Sequence, residues 1–235
     1  MVLLTDAGIP FLLRWIHFLA GIIWIGLLYY LNFAQTPFFA ETDAPVRSGA
    51  QQKLLPRVMW WFRWGAMITF LSGWLYLLEY WLRRVGVGNA QTWVILLGGI
   101  LGSVMWFNVW FVIWPRQKLV IQNALDTAAG KPANPAVGPA GARAGLASRT
   151  NVVFSIPMLF MMGAASHLPM PMPGSGGLFW MLTIIITVLV EINALMGTPG
   201  KGAAKPLATI KGTLWFGFIL SAVYYLVFEV LAKRG

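Results

Sequence analysis

Cysteine is absent from the 235 residues. Disulfides, thiolate-bound zinc, iron–sulfur clusters and the C-x-x-C-H attachment of a c-type haem are therefore excluded within this chain. Histidine occurs only as His17 and His167, so imidazole ligation of a metal has two donors to draw on. Acidic residues number seven, and all charged residues together make up 10% of the chain. No phosphate-cradling glycine loop, H-E-x-x-H zinc helix or nucleophile elbow occurs. What is abundant is apolar surface: 58% of residues are hydrophobic and the mean hydropathy is +0.71. An ordinary water-soluble domain does not approach these values.

Crossing a hydrocarbon core of about 30 Å takes roughly 20 helical residues. Six runs approach that length: Phe11–Phe33, Val58–Leu82, Thr92–Trp114, Val152–His167, Leu178–Met196 and Ile210–Leu231, the fourth being the shortest. Backbone polar groups in lipid must be satisfied within their own segment, and no run alternates with the period of an outer-membrane strand. The expected fold is all-α, a single transmembrane domain over residues 1–235 built as a bundle of about six helices in contact with the lipid bilayer. Trp60, Trp61, Trp64, Trp106, Trp110 and Trp114 gather near the ends of the runs, where amphipathic rings favour the headgroup layer.

The net charge of +10 is explained by orientation, not by a nucleic-acid partner, because no soluble basic domain is present. With the N-terminus on side A, five of the 17 basic residues fall near that side: Arg14, Arg83, Arg84, Lys233 and Arg234. The other twelve fall on side B. By the positive-inside rule side B is cytoplasmic and both termini lie outside. The opening Met1–Asp6 lacks a basic n-region, so the first helix is expected to be retained. Between the third and fourth runs, Pro115–Asn151 reads as a basic cytoplasmic loop; its first part, Arg116–Ala129, suits either an interfacial helix or an irregular connection. No internal repeat is evident.

In this topology His17 and His167 both lie in the outer half of the bundle. Ala20 and Gly21 follow His17, and Gly163 and Ala164 precede His167, at spacings that share a helix face. Small residues there leave room for a macrocycle whose iron is held by imidazole. The same pattern also allows close helix approach, with the histidines hydrogen-bonding in the interface. Arg14, one turn before His17, suits haem propionates or an anionic substrate, and equally a snorkelling side chain. Glu79 with Arg83, and Glu229 with Lys233, have the spacing of local ion pairs. Glu191 reads as a neutral hydrogen-bonded carboxyl or a point on a proton path, and Asn108 as an interhelical bond. No residue is assigned a catalytic role.

The stretches Arg14-Trp-Ile-His-Phe-Leu-Ala-Gly-Ile-Ile-Trp-Ile-Gly, Trp61-Phe-Arg-Trp with Leu71-Ser-Gly, Asn108-Val-Trp-Phe-Val-Ile-Trp-Pro-Arg-Gln-Lys, Ser148-Arg-Thr-Asn, Ser155-Ile-Pro-Met-Leu-Phe-Met-Met and Ser166-His-Leu-Pro follow one another in order. Together they resemble the membrane domain of the bacterial cytochrome-c-linked urate oxidase, or urate hydroxylase, family. The resemblance implies a periplasm-facing redox site in the inner membrane, with electrons passing to a cytochrome c. It carries over His17 and His167, and with them Arg14, Trp24, Asn108, Arg149 and Asn151. This sequence departs from the family in lacking the cytochrome domain and a helix pair between the second and third helices. A separate cytochrome c or respiratory complex is then the expected partner.

The resulting expectation is a membrane oxidoreductase with one b-type haem, His17 and His167 as its metal ligands, and Arg14 and Trp24 beside it. The main alternative is a non-enzymatic accessory subunit of a larger membrane oxidase. A small-solute transporter is a third, disfavoured by the lack of paired broken helices.

Overall fold

The computed structural model describes residues 2–232, and it is helical throughout, with no strand among the described residues. Lys233 and Arg234, counted above on side A, lie outside the described residues, and with Lys233 the expected partner of Glu229. A first helix, α1 (Gly8–Tyr29), runs without interruption through a π-helical segment, Tyr30–Gln35, into α2 (Thr36–Glu41). The short α3 (Ala44–Lys53) leads to α4 (Leu55–Tyr76), which also ends in a π segment, Leu77–Val85. Next, α5 (Ala90–Phe107) passes through a third π segment, Asn108–Ile113, into α6 (Trp114–Ala128). The chain closes with α7 (Val137–His167), α8 (Gly176–Met196) and α9 (Ile210–Val230).

Six passes therefore alternate in direction. Side A gathers the start of α1 and the end of α4, where Arg84 Nη2 lies 3.9 Å from Asp6 Oδ1. It also gathers the starts of α5 and α8, where Trp93 lies 5.5 Å from both Phe179 and Trp180. The turn before α8 joins the end of α9 there through Gly174 N–H donating to Leu231 O at 2.6 Å. Side B holds the opposite ends, tied by Arg143 Nη1 donating to Ala194 O at 3.1 Å.

Among the described residues, four helical stretches are long and apolar enough to cross a membrane: Gly8–Glu41, Ala90–Ala128, Gly176–Met196 and Ile210–Val230. The remaining passes, α4 and α7, are more polar for a structural reason. α7 is the central helix, packed against α1, α5, α6, α8 and α9, so its Thr150, Asn151 and Ser155 are buried in protein and never meet lipid. α4 is paired with α1 along its length. Lipid-exposed positions elsewhere are apolar, among them Ile22, Leu71, Ile184, Leu189, Phe218 and Ile219.

The segment 115–151 is mostly helical, not an irregular loop: α6 runs to Ala128, α7 begins at Val137, and residues 129–136 form the connection. The 39 residues of Ala90–Ala128 would span about 58 Å at 1.5 Å per residue, so the helix projects well beyond the bilayer. Pro115 does not stop it. A proline clashes with the carbonyl four residues back, here Phe111, and that residue lies inside the π segment Asn108–Ile113, whose wider turn displaces it. Pro37 uses the same device, its counterpart Phe33 lying within Tyr30–Gln35. Side chains take up neighbouring carbonyls: Thr36 Oγ1 donates to Leu31 O at 2.7 Å and Arg116 Nη1 to Val112 O at 2.8 Å. The fourth pass is 31 residues long, because its glycine- and alanine-rich first half is helical against α6.

Candidate functional site

His17 points from α1 into α4. Its Nδ1 lies 2.9 Å from the backbone oxygen of Thr69; a carbonyl only accepts, so Nδ1 carries the proton and Nε2 is the basic nitrogen. The ring fits there because residue 73 is glycine. A Cβ at Gly73 would stand 2.7 Å from His17 Cε1. Two turns further along the same face, Trp24 is 1% exposed in the core and its Nε1 has no partner. Gly65 of α4 admits it closely, since a Cβ there would lie 3.2 Å from Trp24 N. Arg14, one turn toward side A, donates to the Tyr76 hydroxyl, with its guanidinium 4.8 Å from the Tyr76 ring centre and 6.0 Å from that of Tyr80. Arg14, His17 and Trp24 thus share the α4-facing side of α1.

His167 is the last residue of α7 and is exposed. Its level can be read from two bonds between α1 and α7: Asn32 Nδ2 donates to Ser148 Oγ at 2.8 Å, and Tyr29 Oη lies 2.9 Å from Ser155 Oγ. Continued at equal rise along antiparallel helices, this register sets His17 opposite residues 163–167. The imidazoles share a level, yet the His17 ring is turned to α4 and no hydrogen bond joins it to His167. Among the described residues no three His, Asp or Glu side chains converge.

Deeper in the bundle, Asn108, at the first position of the third π segment, ties three passes together. Its Nδ2 donates to Asn151 Oδ1 and to Glu191 Oε2, both at 2.9 Å, while Asn151 Nδ2 donates to Met105 O at 3.0 Å. Asn108 Oδ1 and Glu191 Oε1 remain buried without partners. Asn108 is indeed an interhelical bond, and its partners are Asn151 and Glu191, pairings that spacing along the chain does not disclose.

At the side B end lies a cavity of about 380 Å³, lined in part by Asn32, Gln35, Gln51, Gln117, Ser148 and Arg149. Gln35 is 7% exposed and its Oε1 has no partner; Gln117 Oε1 is likewise buried and unpartnered. Arg149 donates to Leu207 O. Of these residues only Arg149 was singled out by sequence, since isolated glutamines on different helices carry no motif. The sole hint was the polar pair Asn32 and Gln35 closing an apolar run before Pro37. Neither His17 nor His167 lines this cavity or an apolar recess of about 540 Å³ between Ile22, Gly26, Arg57 and Trp61.

The family model described as urate oxidase N-terminal matches residues 87–224, more than half of the chain. This protein belongs to the urate oxidase N-terminal family. No curated protein and no solved structure gives a match. The match begins just before α5 and ends within α9. His167, Asn108, Asn151, Arg149 and Glu191 therefore fall within the family segment, whereas Arg14, His17 and Trp24 precede it. The family assignment thus bears most directly on the central helix α7 and the polar cluster around it.

Proposed function

We propose that this urate oxidase N-terminal protein is an inner-membrane oxidoreductase that binds one b-type haem in the side A half, with His17 and His167 as the residues that would hold it. The observation that carries this reading is the state of His17. Its Nδ1–H is fixed on Thr69 O at 2.9 Å and its ring sits in the notch left by Gly73, which leaves Nε2 as the ligating nitrogen. A histidine ligand oriented by a carbonyl on its other nitrogen is the usual arrangement in metal sites.

A bound b-type haem would supply one-electron redox chemistry at this level of the membrane. Arg14, held against Tyr76 and Tyr80, offers a cation at the side A mouth for a propionate or an anionic substrate. Electrons would pass to a separate cytochrome c or respiratory complex on the same side. The excess of basic residues on side B orients side A toward the periplasm.

A reduced-minus-oxidised absorption spectrum of detergent-purified protein, recorded beside His17→Ala and His167→Ala, tests the reading. Sharp b-type bands lost in both variants are expected. A featureless spectrum from folded protein produced with haem supplementation would overturn it in favour of the accessory-subunit role.

A further inference from the structure

We propose that the recess between α1 and α4 is a binding site for an anionic glycerophospholipid, which lays an acyl chain along it and places its phosphate at Arg57. The recess has a volume of about 540 Å³, and its lining is apolar apart from Arg57 and the Trp61 indole. It opens toward the hydrocarbon: Ile22 is 71% and Trp61 54% exposed. Its floor is bare at Gly26, where a Cβ would meet no other atom within 4 Å. Neither helix fills this volume, so the surrounding lipid must, and a flexible alkyl chain restores the dispersion contacts that an empty notch forfeits.

The direction of the recess and the place of its charge select an amphiphile. Gly65 is level with residues 20–24, since a Cβ there would lie 3.2 Å from Trp24 N and 3.4 Å from Ala20 O. Along these antiparallel helices Trp61 is then level with Gly26, and Arg57 lies one turn further toward side B. From Arg57 to the level of Ile22 the recess runs about 12 Å along the membrane normal. Trp61, packed edge-on against Trp60 at 4.9 Å, marks the headgroup boundary, which puts the guanidinium at the depth of the phosphates. Arg57 gives its Nη1 to Lys53 O, leaving Nε–H and Nη2–H as the fork that a phosphate accepts. It forms no ion pair among the described residues, and the lining contains no acid. Lys53, one turn before it and exposed, adds a second cation at the same end. A cation at the side B end of an alkyl-sized groove is the complement of a negative headgroup on a chain, and basic pockets between membrane helices recognise such lipids.

The site is independent of the haem reading, and the test keeps the two separate. The full chain, delipidated in mild detergent, is titrated with phosphatidylglycerol, with phosphatidylcholine of the same acyl chains and with glycerophosphate, and bound molecules are counted by native mass spectrometry. The same titrations are run on Arg57→Gln, Gly26→Leu, His17→Ala and Lys205→Gln, the last an exposed side B cation before α9. Thermal melting confirms that each variant is folded. The first phosphatidylglycerol is expected to bind about ten-fold more tightly than phosphatidylcholine. Arg57→Gln abolishes that preference by weakening phosphatidylglycerol about ten-fold, while Gly26→Leu, which fills the recess and leaves its charge, weakens the first-bound lipid of either kind. Lys205→Gln and His17→Ala leave both affinities within about two-fold. Equal affinity for the two lipids, a preference that survives Arg57→Gln, or binding untouched by Gly26→Leu overturns the proposal. So does an equal loss in Lys205→Gln, which would mark diffuse surface charge, and glycerophosphate binding as tight as the lipid, which would mark a free-phosphate site. A dimer that Gly26→Leu dissociates would assign the recess to a second copy of this chain and overturn it as well.

Discussion

At the scale of single residues, the glycines beside His17 separate steric requirement from mere small size. Gly73→Ala sets a methyl 2.7 Å from His17 Cε1, a contact the stiff imidazole relieves only by leaving Thr69 O. The expected cost is about 1–3 kcal/mol from overpacking together with the lost hydrogen bond, read as a lower melting temperature in detergent. If His17 holds the proposed haem, weakened b-type bands accompany it, since Nε2 is re-aimed. Gly21→Ala, whose methyl meets only Thr69 Cγ2 at an ordinary 3.8 Å, should change neither. Asn108 makes a second residue-scale case. Asn108→Leu removes the donor shared by Asn151 Oδ1 and Glu191 Oε2 and strands two buried acceptors, one a carboxylate oxygen, at a cost of roughly 1–3 kcal/mol. Chemical denaturation would register it; an unchanged unfolding midpoint would show that the cluster contributes no net stability.

At the scale of elements, α7 and α9 meet at a crossing that a proline prepares. Pro157 has no N–H to give to the Val153 carbonyl, and Gly217 of α9 nestles against that oxygen. A Cβ at Gly217 would lie 3.1 Å from Val153 O and collide with Ile156 Cδ1. Gly217→Ala is therefore expected to part the two helices and destabilise by about 1–3 kcal/mol. Gly49→Ala, in the interior of α3 with nothing within 4 Å, should stabilise by roughly 0.5–1 kcal/mol through helix propensity. Opposite shifts in melting temperature for the two substitutions check this.

These elements also show what sequence reasoning can and cannot reach. The six apolar runs correspond to the six passes because lipid imposes length and hydropathy directly. The extension of α5 through Pro115 was hidden because a proline normally ends a helix, and only the π segment before it makes room. The first half of α7 was hidden because Gly138, Gly141 and Gly145 read as a connection, whereas packing against α6 overrides that local preference. Arg14 and His17 were legible as rare polar residues in apolar sequence. Gln35, Gln51 and Gln117 were not, since three separate elements bring them together only in the folded bundle.

At the scale of the whole molecule, orientation decides which compartment each site serves. Of 17 basic residues, twelve lie on the end that carries α3, the end of α6, the start of α7 and the connection before α9. Short basic connections resist translocation, so side B is expected to stay in the cytoplasm. Alkaline phosphatase, active only after export, should be active when fused after the last residue and inactive when inserted after Lys131, in the 129–136 connection between α6 and α7. A fluorescent protein that folds only in the cytoplasm should give the reverse pattern. With that result the His17 level faces the periplasm, the side on which the proposed cytochrome c partner would act, while the side B cavity faces the cytoplasm. The inverse result would exchange the two: the cavity would face the periplasm, and the proposed electron partner would have to be cytoplasmic or a membrane complex. Positional charge alone, with no change to any contact within the bundle, thus sets which compartment each end of the bundle faces.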